Sequence, residues 1–156
     1  MKIFLDTNII VRSTNRTDAL HESVAEHLYR LSDAGAEFCI APQTIYEFWT
    51  VATRPVDRNG LGRDPADARR DIESIRKAYT LLMDPPYLLD RWLDLCSNYG
   101  IRGKPSHDAR LVVFMFAHEI RRLLTLNPGD FARFAEIECL VPELDRQAAS
   151  EDDEGT

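Results

Sequence analysis

Five short apolar runs alternate with longer segments of helical periodicity along this chain. Successive positions in each run are apolar, which is typical of strands that are covered on both faces of a sheet. The runs occupy residues 2–5, 37–41, 80–83, 123–126 and 138–141. This alternation predicts an α/β protein with a three-layer α/β/α fold, built on a parallel sheet of about five short strands.

The segments between these runs carry the start and stop signals of helices. Asp18 can cap the first helix and Gly35 suits the position after its end, whereas Pro65 favours a helix start. Arg54-Pro55 ends the second helix, and a loop follows to residue 63. The predicted helices span residues 18–34, 42–53, 65–78, 86–99 and 105–119.

Hydrophobic spacing also predicts which side chains form the core. Segment 105–119 is apolar almost all round, as expected of a buried helix. Trp49 and Trp92 fall in helical apolar stripes and are expected in the core. The three cysteines are odd in number and lack CxxC spacing, so we expect reduced thiols.

Charge divides the chain into a body and a tail. The net charge is −7, but residues 143–156 hold six acids and one arginine, so the body is near neutral. We expect one domain over residues 1–144 and an acidic, disordered tail over 145–156. The near-neutral body gives no electrostatic support for a nucleic-acid substrate. No apolar run reaches membrane-spanning length and no signal pattern opens the chain, so a cytoplasmic location without membrane contact is expected.

Acidic and amide side chains stand where the predicted sheet would have its active edge. Asp6 follows the first strand directly, and Glu47 lies in the helix after the second strand. Asp108 starts the helix that leads into the fourth strand, and Asn127 and Asp130 follow that strand. Ligand sites of parallel sheets lie beyond the carboxyl ends of the strands. These sequence-distant residues are therefore expected to converge.

Converging carboxylates are typical of a site for a hard divalent cation, which prefers oxygen ligands. Without a cation, two unit charges 4 Å apart repel by roughly 4 kcal/mol at an effective dielectric near 20. A Mg²⁺-bound water could attack a phosphodiester, and a second ion would stabilise the leaving oxygen. Each acid also has an ordinary alternative. Asp6 could be only a turn residue at the end of a strand, and Glu47 could lie on a solvated helix face. Asp108 could be only an acid at a helix start, where the helix dipole favours it.

Three basic side chains flank these acids and are candidates for substrate binding. Arg54 opens the loop after the Glu47 helix, and Arg102 and Lys104 precede the Asp108 helix. Arginine can hold a phosphate by two hydrogen bonds, and such contacts position a nucleic acid without reading its sequence. Ordinary solvation of the loops is the alternative for each of them.

The order of these motifs resembles the PIN-domain ribonucleases, and in particular the VapC-like toxins of VapBC toxin–antitoxin pairs. The resemblance covers roughly residues 1–144. The motifs that carry it are Leu5-Asp6-Thr7-Asn8, Tyr46-Glu47-Phe48, Thr53-Arg54-Pro55, Asn59-Gly60-Leu61-Gly62, Ser106-His107-Asp108-Ala109 and Leu124-Thr125-Leu126-Asn127-Pro128-Gly129-Asp130-Phe131.

This resemblance implies a ribonuclease that depends on Mg²⁺ or Mn²⁺, with a PIN-like fold. It implies Asp6, Glu47 and Asp108 as the metal ligands, and the neighbouring Thr7, Asn8 and Ser106 as residues that support those ligands. RNA as substrate, a cognate antitoxin protein as partner and a homodimer are implied in the same way.

One position departs from the pattern of the family. Many members carry an acid at or near Asn127, and a neutral amide adds no charge to the site. Asp130 could substitute for it, or could instead cap the short helix at Phe131. The departure leaves a non-catalytic RNA-binding or regulatory module as an alternative. A phosphatase with Asp6 as its nucleophile is a weaker alternative, because Asn8 stands where a second acid is usual.

Overall fold

The fold alternates strands and helices throughout the 144 residues, 1–144, that the computed structural model describes. The strands are β1 (Lys2–Leu5), β2 (Glu37–Ile40), β3 (Thr80–Leu81), β4 (Arg122–Leu124) and β5 (Glu138–Leu140). The α-helices are α1 (Thr7–Thr14), α2 (His21–Asp33), α3 (Pro42–Thr53), α4 (Pro65–Ala78), α5 (Leu88–Tyr99) and α6 (Pro105–Ala117). Short 3₁₀ turns lie at Val56–Arg58 and Pro128–Phe131.

The five strands form one parallel sheet in the order β3-β2-β1-β4-β5. The chain moves outward from β1 through β2 to β3, and then returns to the other side of β1 for β4 and β5. The strand order therefore reverses between β1 and β4. In open parallel sheets, this reversal opens a crevice beyond the carboxyl ends of the two strands.

Two hydrophobic clusters fill the two faces of the sheet. Ile3 and Leu5 of β1 face the cluster that contains Val24 of α2 and Phe48 of α3. Phe4 of the same strand faces the opposite cluster, which is built largely on α5 and α6. Alternate residues of one strand are thus buried on opposite faces, which makes the molecule a three-layer α/β/α sandwich.

The predicted architecture is confirmed, and most helix and strand positions agree with the sequence-based expectation. The helix over 42–53 has the predicted bounds, and Asp64 caps α4 by accepting a hydrogen bond from the Asp67 amide at 2.8 Å. Gly35 has a positive φ of 88° just after α2, as expected of a helix stop.

Helix α1 is the main element that the sequence pattern missed. Its eight residues, Thr7–Thr14, follow Asp6 at once and contain isoleucines, a valine and threonines, which have modest helix propensity. The next helix begins at His21 rather than Asp18, because Asp18 accepts a hydrogen bond from the Leu20 amide (2.8 Å) and closes a turn before the helix.

Three expectations, one about a side chain and two about strands, also need correction. Trp49 was expected in the core, but it is 38% exposed because it lies on the outer side of α3. Strand β3 has two residues instead of four, and β4 begins at Arg122 and ends at Leu124. The acidic tail over 145–156 lies outside the described residues, so its predicted disorder stays a prediction.

Helices long and apolar enough to cross a bilayer are not found among residues 1–144.

Candidate active site

Asp6 is fixed at the reversal point of the sheet by hydrogen bonds to both neighbouring elements. It caps α1, where its Oδ1 accepts from the Thr7 amide at 2.8 Å. Its Oδ2 accepts from Thr125 Oγ1 at 2.7 Å, and its own amide donates to the Leu124 carbonyl at 3.0 Å. The carboxylate is therefore oriented jointly by α1 and by the end of β4.

Glu47 accepts hydrogen bonds from two donors, one on α1 and one on its own helix. Thr7 Oγ1 donates to Glu47 Oε2 at 2.6 Å, and Gln43 Nε2 donates to Glu47 Oε1 at 2.8 Å. Gln43 lies one turn before Glu47 on α3, so the helix geometry brings the two side chains together. Glu47 is thus directed toward the same corner as Asp6 rather than toward open solvent.

Asp108 comes from the opposite layer of the molecule, in the first turn of α6. This position favours the ionised carboxylate by roughly 0.3–1 kcal/mol through the helix dipole. The turn is joined to α3 because Gln43 Nε2 also donates to the His107 carbonyl at 3.1 Å. The side chain of His107 is exposed.

Asn127 and Asp130 lie in the segment that follows β4. The Asn127 amide donates to Thr125 Oγ1 at 3.0 Å, and the Asn127 carbonyl accepts from the Asp130 amide at 3.1 Å. Asn127, not Asp130, occupies the position that precedes the 3₁₀ turn at Pro128–Phe131, and its side chain makes no capping hydrogen bond there. The carboxylate of Asp130 is therefore not used as a helix cap.

These residues line one open cleft of about 830 Å³ at the carboxyl edge of β1 and β4. It brings together ten of the residues discussed above, which are Asp6, Thr7, Asn8, Glu47, Arg54, Lys104, His107, Asp108, Asn127 and Asp130. A second cavity of about 480 Å³ lies between α5 and α6, and Asp94 is the one carboxylate among its described lining residues. The acids therefore point to the first cleft as the chemically competent one.

Burial and the neighbouring carboxylates raise the affinity of Asp6 for protons. Burial is the largest cause that raises the pKa of Asp6, and the charges of Glu47 and Asp130 raise it further. The hydrogen bonds from Thr125 and from the Thr7 amide act in the opposite direction on that pKa. A positive charge in the cleft would relieve this repulsion.

Asp108 is subject to the same kind of repulsion. Its pKa is raised from 3.8 to about 6, first by burial and then by the charges of Asp130, Asp6 and Glu47. Since these charges come from separate elements, the fold brings acids that are distant in sequence close enough to act on Asp108. Strongly perturbed carboxylates in a cleft are candidates for functional residues.

The donor set suits a hard divalent cation, although the cleft is not a closed metal cage. Carboxylate oxygens are the preferred ligands of Mg²⁺ and Mn²⁺, and their mutual repulsion favours a bound cation. Within residues 1–144, groups of three or more His, Cys, Asp or Glu side chains that could hold a metal by themselves are not found. Mg²⁺ usually keeps several waters, so an open site with incomplete protein ligation is compatible with its chemistry.

The remaining predicted residues divide into those that touch the acids, those that line the cleft and those outside its described lining. Thr7 and Asn8 touch the acids, since Asn8 Nδ2 donates to Asp6 Oδ2 at 3.4 Å. Lys104 and Arg54 line the cleft, whereas Arg102 and Ser106 are not among its described lining residues. The Ser106 carbonyl instead accepts from the Trp92 indole at 2.7 Å.

Sequence reasoning missed two residues that contact the acids directly. Thr125 is fully buried at the end of β4 and donates to Asp6, and Gln43 is 7% exposed and donates to Glu47. The available signals were a polar residue directly after a buried strand, and a glutamine four positions before a candidate acid.

The PIN domain family model matches residues 3–137. This chain therefore belongs to the PIN domain family. Comparison with curated proteins finds no match.

Solved structures of toxin–antitoxin systems share the fold. VapBC2 from Rickettsia felis, bound to a DNA fragment from its promoter, has a TM-score of 0.69 at 16% identity, over 92% of this chain and 100% of its own. A toxin–antitoxin complex from Klebsiella pneumoniae has a TM-score of 0.61 at 16% identity, over 92% and 99%. VapC20 from Mycobacterium tuberculosis, a toxin that cleaves the sarcin–ricin loop, has a TM-score of 0.62 at 19% identity, over 87% and 98%.

Proposed function

We propose that this protein is a metal-dependent endoribonuclease that hydrolyses phosphodiester bonds of RNA. The observation that supports this most is the convergence of acids from separate elements in one cleft, where burial first and then the charges of Asp130, Asp6 and Glu47 raise the pKa of Asp108 to about 6. Asp6, Glu47 and Asp108 would hold Mg²⁺ or Mn²⁺. The PIN fold, which this chain shares with toxins of similar structure, supports the assignment as a nuclease.

The residues of the chain supply positioning and charge, while the cation, when bound, would acidify a water and stabilise charge on the phosphate. Thr7 and Thr125 hold Glu47 and Asp6 in place by hydrogen bonds of 2.6 and 2.7 Å. Lys104 and Arg54 line the cleft and would hold the phosphate backbone. In-line hydrolysis of a phosphodiester depends mainly on such positioning and electrostatics.

Asp130 is the better candidate to complete the site that the neutral Asn127 leaves short of a charge. It acts electrostatically on both Asp6 and Asp108 and is not used as a helix cap. Asn127, which also lines the cleft, would orient water or donate to a phosphate. The predicted substrate contact of Arg102 and the supporting role of Ser106 have less support, since both stand outside the described lining of the cleft.

We further propose that the protein is the toxin of a toxin–antitoxin pair, restrained by a cognate antitoxin. The support is structural, because the neighbours with the same fold include VapBC2 and a toxin–antitoxin complex. A homodimer and a cytoplasmic location, both expected from the sequence, belong to the same proposal. Co-purification with the product of an adjacent reading frame tests the partner, and light scattering tests the dimer.

The test of the nuclease is RNA cleavage by the purified protein with Mg²⁺, with and without EDTA. Asp6→Asn is expected to lower the rate by at least about 100-fold, because a fixed metal ligand is lost. Asp94→Asn is the matched control, since this carboxylate lines the other cavity, and its rate should equal the wild type. Cleavage that survives both EDTA and Asp6→Asn contradicts the proposal.

A non-catalytic RNA-binding module remains the second candidate, and the neutral Asn127 is the observation that favours it. RNA binding without cleavage at saturating Mg²⁺ and Mn²⁺ would select it. The phosphatase alternative has less support. Asn8 Oδ1 accepts from the Leu126 amide at 3.3 Å, so this side chain is engaged in bracing the site where a phosphatase would need an acid.

A further inference from the structure

A series of hydrogen bonds leads from the segment after β3 to Glu47. Asp84, after β3, accepts from Arg110 Nη2 at 2.7 Å, and Arg110 Nη1 donates to Gln43 Oε1 at 2.8 Å. Gln43 Nε2 then donates to Glu47 at 2.8 Å and to the His107 carbonyl at 3.1 Å. Two of these links, Arg110–Gln43 and Gln43–His107, join α6 to α3. The link from Asp84 to Arg110 joins the segment after β3 to α6.

We propose that Gln43 and Arg110 are positioning residues, which fix the Glu47 carboxylate relative to the turn that carries Asp108. The inference rests on the proposed function in so far as Glu47 is a metal ligand. Asp84 holds the Arg110 guanidinium in place. None of the three need touch the substrate.

The chemistry of the Arg110 guanidinium fixes the direction of the hydrogen bonds along this series. An arginine can only donate hydrogen bonds, whereas the glutamine side chain has one accepting and one donating end. Arg110 therefore requires that the oxygen of Gln43 face it, which turns the NH₂ group toward Glu47 and the His107 carbonyl. The reversed amide would place its oxygen against a carboxylate and a carbonyl, and its NH₂ against a cation.

Burial makes the orientation costly to change. Gln43 is 7% exposed, and each end of its amide has a partner at hydrogen-bond distance. A buried donor left without a partner costs about 1–3 kcal/mol, so Gln43 is strongly favoured in this one orientation. It is also the side chain that connects α3, which carries Glu47, with the first turn of α6, which carries Asp108.

The test compares Mn²⁺ affinity, measured by electron paramagnetic resonance, in matched variants of the full chain. Gln43→Met keeps the size of the side chain but removes the hydrogen bonds, and it should weaken Mn²⁺ binding at least about 10-fold. Arg110→Met should also weaken Mn²⁺ binding. Loss of a positive charge would, by Coulomb attraction alone, tighten cation binding. Weaker binding therefore identifies a positioning effect.

Two further variants complete the comparison. Arg122→Met removes an arginine that pairs with Glu138 at 3.0 Å at the start of β4, and it should bind Mn²⁺ as the wild type does. Arg110→Lys keeps a donor for one of the two partners and should recover part of the affinity that Arg110→Met loses. Mn²⁺ affinity in Gln43→Met and Arg110→Met equal to that of Arg122→Met would overturn the inference.

A readout that does not depend on metal separates this inference from the proposed function. The side-chain amide resonances of Gln43, followed by NMR in the metal-free protein, should shift in Arg110→Met and stay in place in Arg122→Met. If the wild type binds no Mn²⁺, the metal site fails, and these resonances alone decide the positioning claim. Unchanged Gln43 resonances in Arg110→Met would overturn it whether or not the protein binds Mn²⁺.

Discussion

Thr125 shows how a single hydroxyl can set the charge state of the site. It is fully buried, and its Oγ1 donates to Asp6 Oδ2 at 2.7 Å. A hydrogen bond to the ionised form lowers the pKa of a carboxyl, and here it opposes the effect of burial on Asp6. The threonine therefore favours the negatively charged form of Asp6, although burial still holds the pKa of this carboxyl above its usual value.

Thr125→Val is predicted to raise the pKa of Asp6 further and to weaken Mn²⁺ binding by about 10-fold. Valine has the same shape as threonine but cannot donate to the carboxylate. Calorimetric titration with Mn²⁺ measures the change. Thr50→Val is the control, because Thr50 lines the same cleft but bonds the Tyr46 carbonyl of its own helix. Equal affinity in the two variants would contradict this role of Thr125.

At the scale of elements, the loop after α3 shapes the rim of the cleft by folding back onto the helix. The Leu61 amide donates to the Val51 carbonyl at 3.0 Å, and the Gly62 amide donates to the Arg54 carbonyl at 2.9 Å. Gly60 passes so close to Arg54 that an added Cβ would lie 1.8 Å from its carbonyl oxygen. Only glycine fits this approach without a movement of the backbone.

Gly60→Ala is therefore predicted to lower the free energy of unfolding by about 1–3 kcal/mol, the usual cost of forcing atoms into a packed site. Urea unfolding measures the loss. Gly129→Ala is the control, because a Cβ there meets nothing within 4 Å. It should change the free energy of unfolding by less than about 0.5 kcal/mol. Similar effects of the two substitutions would show that the close approach at Gly60 does not matter.

The sequence was informative where one local signal decided an element, and it failed where a tertiary contact decided. The proline at the start of α3 and the apolar run of α6 led to the correct helices. Helix α1 was missed, because its β-branched residues favour strands locally and Asp6, its cap, already ended a strand. Its place is set by burial of Ile9 and Ile10 against the core, which no local pattern encodes.

The residues of the candidate site also divide into those that a local signal identified and those that only tertiary contacts place. Strand ends and a helix start identified Asp6 and Asp108, since these positions follow from the topology of a parallel sheet. The spacing of Gln43 from Glu47 was a local signal, but the contacts of Gln43 with His107 and Arg110, more than 60 residues away on another layer, were missed. Such pairings depend on how the layers meet, so a single sequence does not reveal them.

At the scale of the whole molecule, the site costs stability when no cation is bound. The pKa of Asp108 is about 6 in the folded protein, compared with 3.8 as the ordinary value. The folded state then binds more protons than the unfolded state between these values. The contribution of the Asp108 carboxyl to the free energy of unfolding is therefore fully present below about pH 4 and is lost as the pH rises to about 6.

Asp108→Asn is predicted to unfold at a higher temperature than the wild type at pH 7.5 in EDTA, because it removes a half-buried charge. The difference should shrink toward pH 4, where the wild-type carboxyl is protonated. Thermal unfolding followed by circular dichroism measures it. Asp90→Asn, at an exposed acid in the first turn of α5, controls for the helix dipole and should show no such gain. A wild type more stable than Asp108→Asn at pH 7.5 in EDTA would contradict the account.

The most direct test of the central claim is a crystal of the protein soaked in Mn²⁺ and measured for anomalous scattering. The account predicts a peak in the cleft at the carboxyl edge of β1 and β4. Oxygens of Asp6, Glu47 and Asp108 should lie about 2.0–2.3 Å from it, as expected for a small divalent cation. A cleft without a peak at saturating Mn²⁺, or a peak bound by other residues, would contradict it.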